Sequence, residues 1–124
     1  AVEAEAVLAI LSACERGATE LLASRSLFFE MERNPHPLRR DFAAQVLARA
    51  TVVVEVSPAV ELRTRTLCTA GFKPLDAAHL AAAIEGRADF FCTCDDRLLR
   101  RARALATLAT RAVTPEELIA EMPI

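Results

Sequence analysis

The sequence has 124 residues and 13.5 kDa, with 53% hydrophobic and 26% charged side chains, enough apolar material for one core and too much for a disordered chain. Fifteen basic residues against 17 acidic ones leave a net charge of −2 and a pI near 5.7, which excludes a global pull on phosphate backbones and leaves nucleic-acid contact to a local basic patch. Glu or Arg interrupts every apolar run well short of the roughly 18 to 20 residues that a membrane span requires, so the reading is a soluble protein with no membrane partner.

In chain order, apolar positions Val7, Leu8, Ile10 and Leu11 with Gly17 behind them predict a first helix over residues 2 to 16. No capping residue precedes it, so the pattern opens inside or just before a helix at Ala1. Glu20-Leu21-Leu22-Ala23 reads as a short strand, Arg25 to Arg33 as a helix, and Leu38 to Arg49 as another after the Asn34-Pro35-His36-Pro37 break. Thr51 to Val56, with four valines, predicts a buried strand. Ser57-Pro58 caps a helix that Gly71 closes, and Lys73-Pro74 opens the next, Leu75 to Glu85, with Gly86 as its stop. Asp89 to Thr93 reads as a buried strand, Asp95 to Leu105 as a helix, Arg111 to Val113 as a strand, and Thr114-Pro115-Glu116-Glu117 as a capping box for a helix reaching Glu121. Strands alternating with helices predict one α/β domain over residues 1 to 124, a parallel sheet covered by helices on both faces.

Residue types narrow the chemistry. Lys73 is the only lysine, so positive charge is almost all arginine, and the absence of Trp and Tyr argues against a stacking platform for bases. Cys14, Cys68, Cys92 and Cys94 sit in apolar surroundings in a chain large enough to do without staples, which predicts reduced thiols and a cytoplasmic protein. Cys92 and Cys94 lack a second pair at metal-finger spacing, and no glycine-rich loop follows a strand, so a cysteine metal site and a nucleotide-binding loop both fit poorly.

In the alanine-rich helix Leu75 to Glu85 only Asp76 and His79 are polar before its last residue, and at a spacing of three they share a face. A carboxylate there is costly unless paired or metal-bound, or else it serves the positive helix end. His79 is equally readable as a satisfied core group. Thr93-Cys94-Asp95-Asp96 stands where a parallel strand delivers side chains to a ligand, although Asp95 suits a helix N-cap as well. Arg97, Arg100, Arg101 and Arg103 form either a local basic surface or a solvated helix face.

Ser24 with Glu30 six residues on, Asp76-Ala-Ala-His backed by Ala81 and Ala83, and Ala88 to Asp95 ending in Thr-x-Asp together resemble the PIN-domain ribonuclease family, which includes the toxin halves of bacterial toxin and antitoxin pairs. The resemblance spans Glu20 to Val113. It implies a PIN-like three-layer fold and an endoribonuclease whose acidic set Glu30, Asp76 and Asp95 holds Mg²⁺ or Mn²⁺. Thr93 and His79 would support that set, Asp96 would be an extra ligand, and Arg97, Arg100 and Arg101 would contact RNA. It also implies an antitoxin partner and a homodimer. PIN domains open on a central strand ending in Asp, for which this sequence has no counterpart before its first helix. That departure favours a second reading, an inactive PIN-like module that binds RNA or protein.

Overall fold

A computed structural model describes residues 2–105 and 109–122; Ala1 lies outside them. Seven helices and four short strands alternate among the described residues: α1 (Val2–Glu15), β1 (Leu21–Ser24), α2 (Arg25–Arg33), α3 (Pro37–Leu47), β2 (Ala50–Val54), α4 (Pro58–Thr69), α5 (Pro74–Glu85), β3 (Phe90–Cys92), α6 (Asp96–Arg103), β4 (Arg111–Val113) and α7 (Pro115–Glu121).

Local chemistry sets most of these boundaries. Ser57 Oγ accepts from the Val60 amide at 3.2 Å with Pro58 behind it, so α4 starts with one orphan amide satisfied and its first residue pre-set in φ. At α7, Thr114 Oγ1 accepts from the Glu117 amide while the Glu117 carboxylate accepts from the Thr114 amide, the reciprocal box read from the sequence.

β1 pairs with β2 and β3 with β4, both in parallel, and the two pairs are not hydrogen-bonded to each other. Helix α5 is their common support, packing on β1, β2 and β3 on the strand side and on α4 elsewhere. Its Ala77, Ala81, Ala82 and Ala83 are buried and let neighbours approach closely, and Leu80, 1% exposed, anchors a cluster with Val60 and Leu67 of α4, Phe72, and Leu98 and Ala102 of α6. Burying a side chain of that size contributes about 2 kcal/mol.

Two expectations of burial need correction. The valine strand β2 is less covered than expected: Val52 and Val53 remain 38% and 37% exposed, because β2 packs on β1 and α5, whereas β1, with Ala23 and Ser24 buried, is covered by α2 as well. β3 is shorter than the apolar run Asp89 to Thr93, its two phenylalanines half-buried and Cys92 exposed. Gly86 ends α5 as expected, but for a different reason. Its own φ is −78° and Arg87 takes the left-handed turn at 58°; a Cβ at Gly86 would lie 2.6 Å from Leu22 Cδ1 and 2.8 Å from Val54 Cγ2. Glycine is required there so that the end of α5 lies flat on β1 and β2.

Candidate active site

Ser24 ends β1 and caps α2. Its extended backbone (φ −88°, ψ 152°) turns Oγ back to accept from the Leu27 amide at 3.2 Å, which leaves its proton free to donate elsewhere. The partner comes from α5, 55 residues on: His79 Nδ1 lies 3.2 Å from Ser24 Oγ. On the other edge of the ring, Nε2 lies 2.5 Å from Glu30 Oε2. A carboxylate only accepts, so the ring proton belongs on Nε2; a neutral ring then accepts at Nδ1 from the Ser24 hydroxyl. Ser24 is 4% exposed, and Glu30 is the open end of the chain, its side chain 41% exposed against 17% for His79.

Asp76 stands one turn before His79 in the first turn of α5, half-buried, with no hydrogen bond or ion pair among the described residues. The N-cap residue of that turn, Lys73, makes no side-chain cap hydrogen bond. The spacing of three puts Asp76 on the face that meets Glu30 through His79.

At the end of β3 the arrangement is more local. Thr93 Oγ1 accepts from the Asp95 amide at 3.1 Å, and Asp95 Oδ1 accepts from the amides of Arg97 at 2.9 Å and Leu98 at 3.1 Å. Those backbone donors, with Lys73 and Arg97 nearby, hold the Asp95 carboxyl below its ordinary range. Lys73 is thus a neighbour of both acidic elements, at the head of α5 and within the field of Asp95. Asp96 is exposed on the first turn of α6. Beside the same strand end, burial first, then Glu3 of α1 and Glu116 of α7, raises the Cys94 thiol. Although Cys92 is exposed as a residue, packing around its sulfur, then Cys94 and Glu116, pushes its thiol up to about 11. The four cysteines are free thiols.

Glu30 and His79 are therefore joined, with Asp76 one turn away. Asp95 and Thr93 are committed to α6, and among the described residues no three of His, Cys, Asp and Glu gather into a group able to hold a metal ion. The carboxylates have the right chemistry for a hard divalent cation, yet as placed they supply only part of an oxygen shell. Arg97, Arg100 and Arg101 are exposed on α6. The role of Ser24 as the clamp on His79 escaped the sequence reading; its signal was a serine at a strand end opposite the one histidine of an alanine-rich helix.

The PIN domain family model matches residues 2–105. The chain belongs to the PIN domain family. PIN domains are in general nucleases, and a nuclease-type function follows in that general sense. No curated protein and no solved structure gives a match. The α/β architecture with short parallel strands agrees with the PIN fold, and among the described residues no helix is long and apolar enough to cross a membrane.

Proposed function

We propose that this PIN domain is a metal-dependent endoribonuclease, the toxin of a toxin and antitoxin pair acting in the cytoplasm, with Glu30, Asp76 and Asp95 as its acidic set. The observation that carries the reading is Asp76: a half-buried carboxylate without a protein partner, one turn from the Glu30, His79 and Ser24 chain at the C-terminal end of β1. A carboxylate with no protein partner keeps its oxygens available to a hard divalent cation. Mg²⁺ or Mn²⁺ at such a centre activates water and stabilises charge on a phosphodiester. The protein's own contribution is orientation: Ser24 fixes His79, and His79 fixes Glu30.

A homodimer and an antitoxin are the proposed protein partners, supported by the exposed Phe29, Leu38 and Phe42 on α2 and α3.

A second reading, an inactive RNA- or protein-binding PIN module, is favoured by one observation, the use of Asp95 as the cap of α6. A thermal melt of the purified protein with and without millimolar Mg²⁺ or Mn²⁺, run beside cleavage of a labelled RNA, separates the two. The nuclease reading expects a higher Tm with metal and metal-dependent cleavage, since binding to the native state stabilises it by mass action. No shift and no cleavage leaves the binding module.

A further inference from the structure

Neighbouring arginines are turned to carboxylates: Arg103, on α6 itself, reaches Glu117 of α7, and Arg111 of β4 reaches Glu121. Arg97, Arg100 and Arg101 have no such partner among the described residues and line one open depression of about 440 Å³. Their spacing of three and four puts all three on one face, where like charges repel in the absence of an anion. The end of α6 is not the attraction, because Asp95 already occupies its first amides.

One of the three is placed by another element. In the turn between α4 and α5, Gly71 has φ +104°, and a Cβ there would collide with the terminal nitrogen of Arg101. The Arg101 guanidinium thus crosses the bare backbone of Gly71, two residues from Lys73. A side chain at 71 would push this flexible arm away.

We propose that this depression is a seat for a phosphate of the nucleic-acid backbone, formed by Arg97, Arg100 and Arg101, with Gly71 as the positioning residue that lets Arg101 reach it. The guanidinium fork matches phosphate oxygens in geometry and stays charged at any physiological pH. That the anion is RNA rests on the nuclease reading above; the seat itself rests on the arginines and the glycine. None of its residues belongs to the Glu30, His79 and Ser24 chain, and it therefore acts on binding.

The test is anisotropy of a labelled single-stranded RNA 12-mer in EDTA, where metal-dependent cleavage is off, titrated across salt concentrations. Loss of one phosphate contact reduces the slope of log K against log salt by about 0.7 for a single strand. Arg101→Gln is expected to show that loss. Gly71→Ala, which removes no charge, is expected to show the same loss, and the double variant no more than either. Arg39→Gln, at an exposed arginine on α3, leaves the slope unchanged.

An unchanged slope in Arg101→Gln overturns the seat. A normal slope in Gly71→Ala beside a reduced one in Arg101→Gln overturns the positioning role. Because the positive φ at 71 strains alanine, a melt accompanies that variant; should it not fold, Arg97→Gln and Arg100→Gln, both at exposed positions, carry the decision on the seat in its place. Cleavage of the same RNA by the unaltered protein in Mg²⁺ is read separately. A slope loss without cleavage keeps the seat and removes the nuclease, and cleavage with unchanged slopes does the reverse.

Discussion

The two strand pairs deliver acidic residues to their C-terminal ends in opposite ways. At the end of β1, a serine, a glutamate and a histidine from three elements are tied across 55 residues of sequence, and the carboxylate at the end of that chain stays partly open to solvent. At the end of β3, Asp95 spends its oxygen on amides two and three residues away. The first end is held ready by tertiary structure. The second behaves as ordinary helix capping, and whatever else it does competes with that duty.

The strongest way to break the contrast is Asp76→Asn. If the β1 end is the catalytic one, RNA cleavage falls by more than the roughly 10–100-fold typical of losing an outer-shell partner, with the melting curve preserved. Cleavage within a few-fold of the unaltered protein would remove the β1 end from the chemistry. Next is Leu80→Ala in the helix that supports both pairs, expected to cost about 2–5 kcal/mol in denaturant titration. Hydrogen exchange should show both pairs losing protection together; protection lost at one pair alone would make them independent units.

His79→Ala is expected to lower cleavage about 10–100-fold by releasing Glu30, and Ser24→Ala to do the same by releasing His79. An effect of His79→Ala confined to Tm would reduce the chain to packing. Smaller still is Thr114→Ala, which unfastens the α7 capping box and should cost about 1 kcal/mol with cleavage intact.

The smallest effect sharpens the β3 side. Asp95, Glu55 and Glu117 all have depressed carboxyls, held respectively by backbone amides, by Arg25, and by the Thr114 amide with Arg103. A depressed carboxyl contributes stability above its unfolded value near 4 and loses it as pH falls through the folded value. Stability should therefore decline below about pH 4, and Asp95→Asn, which keeps a cap acceptor but does not titrate, should make that decline shallower. An identical acid limb would mean that Asp95 is not bound as a cap in solution.

Where structure follows from neighbours in sequence, it was legible. The Ser57-Pro58 start, the Thr114 box and the break at Asn34 to Pro37 each act within four residues, and helices began where they said. Asp95 was legible as a cap for the same reason. The exposure of Val52 and Val53 was not, since valine favours a strand without saying which helices will cover it. Nor was the clamp of Ser24 on His79, because nothing local marks which serine a histidine will meet 55 residues later. Membership of the PIN family rested on Ser24, Glu30, Asp76 and the Thr93-x-Asp95 spacing, and the matched residues include them all.

That separation also sets an order of events during synthesis. Ser24 and Glu30 leave the ribosome well before His79 does, and β1 has no floor until α5 has emerged. A growing chain therefore has an unassembled acidic centre until α5 has been made, and the centre arrives together with the core that supports it. For the ribonuclease proposed above, made on a machine built of RNA, such a delay would be a built-in safety interval.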